Sequence, residues 1–108
     1  MMPSQDFLYS LLCHLTHEPA ASQRGLAKRF SASLGQVNYC LRSLVDKGLV
    51  KATNFRRSDN KLAYTYVLTP AGLEEKARLT KAFLQRKLAE FESLQQEIEA
   101  LRQEADRA

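Results

Sequence analysis

Apolar side chains recur along this chain first with the period of a helix and then with the period of a strand. Across residues 7–15 they fall at Leu8, Leu11, Leu12 and Leu15, a spacing that places them on one face of an amphipathic helix. Ser4 or Asp6 supplies its cap and Pro19 ends it. Ser22 reads as the N-cap of a short helix burying Leu26, Ala27 and Phe30. Ser33 caps a third helix, which buries Leu34, Val37, Leu41, Leu44 and Val45 and stops at Gly48. Only Ser31-Ala32-Ser33 separates the second helix from the third, so their axes must cross steeply, as in a helix-turn-helix unit. After Gly48 the alternation becomes that of strands, over residues 49–54 and 62–68. The second strand carries Leu62, Tyr64, Tyr66 and Leu68 on one face and Ala63, Thr65 and Val67 on the other. Ser58-Asp59-Asn60 is a turn signal, which makes the segment a hairpin whose loop, residues 55–61, holds Arg56, Arg57 and Lys61.

Thr69 caps the next helix and Pro70 takes its first position, where a missing N–H costs nothing. Nothing beyond Gly72 breaks the pattern, so one helix is predicted to run to Ala108, about 58 Å at 1.5 Å per residue. Its sequence repeats every seven residues, with Ala77, Leu84, Phe91, Ile98 and Ala105 at one seam position and Leu73, Thr80, Lys87, Leu94 and Leu101 at the other. Thr80 and Lys87 weaken that seam, but across residues 91–101 it is intact. An isolated helix exposing such a stripe is marginal in water, which predicts a partner helix. A second copy is the natural partner, through Leu84, Phe91, Leu94, Ile98 and Leu101; folding back onto the N-terminal part is the alternative. In a parallel in-register pair Glu97 would face Arg102, but Lys76 would face Lys81, so charge leaves the direction open. The predicted fold class is therefore mainly α with a small β-hairpin: a winged helix-turn-helix over residues 1–72, followed by a coiled-coil-like dimerisation helix over 73–108.

With 108 residues the chain has room for one domain and an accessory element, which excludes a large multi-domain enzyme. The net charge of +4 is unevenly spread. Residues 1–72 carry nine basic side chains against four acids, while residues 73–108 carry seven against eight. A cationic N-terminal part points to a polyanionic partner, nucleic acid before membrane surface. No uncharged stretch approaches the roughly 20 apolar residues of a membrane span. The N-terminal residues lack the basic and apolar pattern of a secretory signal, and a cytoplasmic location is expected. Cys13 and Cys40 are too few for a disulfide framework and are expected to be reduced, buried thiols. Cys13 and His17 form an i, i+4 pair, but two ligands do not make a metal site. No phosphate loop or nucleophile motif occurs, so the chain is read as a non-enzyme without a cofactor.

On the third helix, the face opposite the apolar stripe shows Gly35, Gln36, Tyr39, Arg42, Ser43 and Asp46, with Asn38 on the flank. Gln and Asn can pair bidentately with adenine and Arg with guanine, while Tyr can touch a thymine methyl or a phosphate. Gln36, Asn38, Tyr39, Arg42 and Ser43 are the candidate base contacts. Gly35 would let the helix start approach closely, and Asp46 would repel phosphate and mark where the helix leaves the groove. Ser22, Gln23 and Arg24 open the second helix, where free N–H groups favour phosphate, and Lys28 lies one turn on. Together with Arg56, Arg57 and Lys61 of the wing they are the candidate backbone contacts on double-stranded DNA.

Several stretches carry a family resemblance. Asn38-Tyr39-Cys40-Leu41, Lys47-Gly48-Leu49-Val50, Ser58-Asp59-Asn60-Lys61 and Leu68-Thr69-Pro70-Ala71-Gly72-Leu73 resemble the short bacterial MarR-type regulators associated with exopolysaccharide biosynthesis. The resemblance implies a homodimeric transcriptional regulator binding a pseudo-palindromic operator. Larger MarR proteins build an effector pocket from helices at both termini; this chain has only one C-terminal helix, and no small-molecule effector is expected. The competing reading is a winged-helix adaptor whose C-terminal helix docks a protein partner, since one fold serves both uses. Membrane-surface association through Lys76, Arg78, Lys81, Arg86 and Lys87 is disfavoured because these residues are spread around the helix.

Overall fold

Three serines and one threonine set the starts of the four helices. In a computed structural model, which describes residues 4–56 and 62–107, α1 spans Gln5–His17, α2 Gln23–Arg29 and α3 Leu34–Asp46, followed by β1 (Val50–Arg56), β2 (Leu62–Leu68) and α4 (Pro70–Arg107). Ser4 Oγ accepts from the Phe7 amide at 3.1 Å, Ser22 Oγ from Gly25 at 3.0 Å, Ser33 Oγ from Gln36 at 3.0 Å and Thr69 Oγ1 from Gly72 at 3.0 Å. Each cap satisfies one amide that the helix cannot, for about 1 kcal/mol.

The ends of α2 and α3 share a second device. At the end of α3, Gly48 takes φ 74°, its amide donates to the Val45 carbonyl at 2.9 Å, and the Leu49 amide donates to that of Leu44 at 3.0 Å. At the end of α2, Ser31 does the same with φ 51°, and the Ala32 amide reaches the Ala27 carbonyl at 2.9 Å. Both are left-handed terminations that reverse the chain within two residues, which is how so short a link carries α2 into α3.

The chain divides into two compact units, Met1–Lys76 and Ala77–Ala108. In the first, α2 packs on α3, α1 on β2 and α3 on β1. Leu11, Leu12 and Leu15 of α1, Leu26 of α2 and Val37, Cys40, Leu41 and Leu44 of α3 are at most 1% exposed, and Val50 and Tyr66 of the strands close the core. Each fully buried leucine contributes roughly 1.5–3 kcal/mol. Strands β1 and β2 form an antiparallel ladder from Val50 opposite Leu68 to Arg56 opposite Leu62. The Tyr66 amide adds a bond to the Pro19 carbonyl at 2.9 Å, tying the α1–α2 link to the hairpin.

A clasp closes the base of the hairpin. The Thr69 amide donates to the Leu49 carbonyl at 3.0 Å, and its hydroxyl donates to that of Gly48 at 2.6 Å. A Cβ on Gly72 would run into the Leu49 carbonyl oxygen, so only glycine lets α4 start this close. The Lys76 ammonium then donates to Thr16 Oγ1 of α1 at 3.1 Å.

The mainly helical class, the winged helix-turn-helix and the long final helix are as predicted. Four details differ. Ala27 and Phe30, expected in the core with Leu26, are only half-buried, because α2 turns Leu26 alone fully inward. Leu34 and Val45 are 45% and 37% exposed rather than buried. Leu34 is the first residue of α3, and Val45 stands 100° around the helix from Leu44, on the flank of the stripe; Cys40 fills the core in their place. Strand β1 begins at Val50 rather than Leu49 and runs on past Asn54 to Arg56. Cys13 is half-buried, whereas Cys40 is buried as predicted.

Candidate nucleic-acid interface

The site is built on α3. With Val37, Cys40, Leu41 and Leu44 turned into the core, helical geometry leaves Gly35, Gln36, Tyr39, Arg42 and Asp46 exposed, and Ser43 and Asn38 half-buried at the edges. Gly35, Asn38, Tyr39, Arg42, Ser43, Asp46 and Lys47 line one open depression of about 570 Å³. Tyr39 is half exposed, and nothing lies within 4 Å of where a Gly35 side chain would begin. This surface offers an amide, a phenol, a hydroxyl and a guanidinium side by side, the donors and acceptors that base edges and phosphates require.

Two predicted contact residues are joined to each other. Gln23 Nε2 donates to Asn38 Oδ1 at 3.3 Å and to Tyr66 Oη at 3.2 Å, linking α2, α3 and β2 beneath the exposed face. One end of the Asn38 amide is thereby used inside the protein. A narrower cleft of about 210 Å³ adjoins this network between α3 and the hairpin, with Arg42, Val45, Asp46, Ala52 and Tyr64 on its walls. Tyr64 stacks on Tyr66 with ring centroids 6.2 Å apart.

Of the backbone candidates, Arg24 and Lys28 are exposed on α2, and Ser22 is exposed with its hydroxyl engaged as the cap. Arg56 ends β1; its side chain, together with Arg57 and Lys61, lies outside the described residues. Lys47 and Tyr64 join the surface without having been singled out in the sequence. Lys47 caps α3 just past the stripe, and the strand alternation gives the face of Tyr64 but not the cleft that face borders. Burial raises the pKa of the Cys40 thiol above its ordinary value, so on this helix it stays protonated at neutral pH. Among the described residues no group of three or more His, Cys, Asp or Glu side chains is placed to hold a metal. None of their helices is long and apolar enough to cross a membrane.

In the second unit every residue of 84–107 is exposed. The predicted seam residues Leu84, Phe91, Leu94, Ile98 and Leu101 are 55%, 56%, 52%, 41% and 68% exposed, and Leu88, one turn after Leu84, joins them at 50%.

Residues 6–51, which span α1, α2 and α3, match the family model described as winged helix-turn-helix DNA-binding. The fold is a winged helix-turn-helix. Solved structures with the same architecture include the transcriptional regulator homologue from Pyrococcus horikoshii OT3, at 18% identity and TM-score 0.65, covering 79% of this chain and 83% of that one. BldR of Sulfolobus solfataricus, a transcriptional regulator, aligns over 100% of this chain and 78% of its own at 22% identity and TM-score 0.58. The zinc-dependent MarR family regulator AdcR, in its Zn(II)-bound state, aligns at 20% identity and TM-score 0.58 over 86% of this chain. This chain spans only 61% of AdcR. No curated protein sequence matches it.

Proposed function

We propose that this chain is a sequence-specific DNA-binding transcriptional regulator that acts as a homodimer on a pseudo-palindromic operator. The observation that carries the reading is the exposed α3 face, where Gln36, Tyr39 and Arg42 stand clear of a core that fixes the helix from behind, with Ser43 half-buried at its edge. In this reading α3 enters the major groove, Gly35 allows close approach, and Arg24 and Lys28 hold the flanking phosphates with Arg56, Arg57 and Lys61 of the wing. The cationic N-terminal part and the match to a DNA-binding family model support it. The resemblance to exopolysaccharide-associated regulators directs the search for the operator to those loci first.

The test is selection of duplexes from a randomised pool at near-physiological salt. An inverted repeat with half-sites about 10–10.5 bp apart, or a multiple, is the expected product. Arg42→Ala should relax the preference at one base position per half-site, for about 1–3 kcal/mol of discrimination. A folded dimer that enriches no sequence would overturn the reading and leave non-specific DNA binding or the adaptor.

A further inference from the structure

The apolar face of α4 is exposed from Leu84 to Leu101 and flanked by charged residues at seven-residue intervals. We infer that α4 pairs with α4 of a second copy as a parallel, in-register coiled coil. This rests on the homodimer reading above and adds to it the orientation.

The seam runs through Leu84, Phe91, Leu94, Ile98 and Leu101, all exposed. On one side of it stand Glu90, Glu97 and Glu104, at seven-residue intervals; on the other stand Gln95 and Arg102. In a parallel pair these two sides meet across chains, so Glu90 reaches Gln95 and Glu97 reaches Arg102 of the second copy, twice over by symmetry. In an antiparallel pair each side meets itself, and the three glutamates oppose their own kind: Glu97 against Glu97, Glu90 against Glu104. The acidic row therefore repels the antiparallel partner and attracts the parallel one.

Two lysines stand against the parallel arrangement in the bare sequence, and each has a partner within its own chain. Lys76, which would meet Lys81, lies in the first compact unit with its ammonium bound to Thr16 Oγ1 at 3.1 Å. Lys87 sits in the seam opposite its own copy, but its ammonium is turned to Glu90 Oε2 at 3.1 Å. The direction also bears on DNA. Parallel pairing holds the two Ala77 positions about 10 Å apart, whereas an antiparallel pair centred between Leu94 and Ile98 separates them by roughly 60 Å along the axis.

The experiment is disulfide capture in the full chain carrying Cys13→Ser, with the Cys13→Ser chain alone as control. Under mild oxidation at micromolar concentration, Leu94→Cys should give covalent dimers by itself, as should Leu101→Cys in a different layer. A mixture of Leu94→Cys and Ile98→Cys chains that cross-links only with each other would show antiparallel pairing and overturn the inference while leaving the homodimer intact. Sedimentation showing a folded monomer at the same concentration would overturn the homodimer reading and this inference with it.

Discussion

At the scale of single residues, two glycines with opposite surroundings separate folding from function. Gly72 starts α4 against the Leu49 carbonyl, and Gly35 opens α3 with nothing within 4 Å. Gly72→Ala must move α4 or break the clasp, and a loss of about 2 kcal/mol or more in urea unfolding is expected. Gly35→Ala should instead raise stability by up to about 1 kcal/mol, since alanine is the better helix former, and yet weaken DNA binding by filling the space a groove wall needs. Equal destabilisation by both would contradict this account. Cys40 supplies a pH prediction. Its folded-state pKa is raised by burial, so the unfolded chain loses the thiol proton first as pH rises. The associated stability is intact below the ordinary thiol pKa and falls through the alkaline range up to the folded value. Unfolding midpoints measured from pH 7 to 10 should decline more steeply for the native chain than for Cys40→Ala.

At the scale of elements, what was legible in the sequence divides by range. The helix starts were readable because a cap needs only its own next three residues, and Ser22, Ser33 and Thr69 each bond an amide three positions on. Gly48 announced its own left-handed turn. Burial at helix edges was not readable, because Leu34 and Val45 lie on or beside the apolar stripe and only their tertiary neighbours decide the outcome. The link from Gln23 through Asn38 and Tyr66 joins residues 43 positions apart, and no local pattern encodes such a contact. The last rungs of the ladder, Phe55 opposite Ala63 and Arg56 opposite Leu62, depend on register rather than composition. Thr69 is the element-scale test. Thr69→Val keeps the shape and the amide bond to Leu49 but removes the hydroxyl bonds to Gly48 and Gly72, and a loss of about 1–2 kcal/mol in unfolding free energy is expected.

At the scale of the whole molecule, charge and association are the measurable quantities. Five cations from each protomer on phosphate would release counterions steeply, with log K against log salt falling at a slope of roughly −9. Under the proposed contact set Arg24→Ala removes one contact per protomer, and should lessen that slope by about 2 and weaken binding equally on all sequences. A native slope of only −2 or −3 would contradict the contact set.

The clasp at the base of the hairpin bears on how such a protein can diverge. Because Thr69 holds residues 48 and 49 by two hydrogen bonds, the two ends of the intervening segment are pinned to each other independently of what lies between them. Doubling the length of a loop whose ends are already held costs only about 0.6 kcal/mol. The wing is thus a replaceable cassette: insertions, deletions and new charges can accumulate there while α3 keeps its place, so under the proposed reading contacts on flanking DNA would evolve separately from those on the bases.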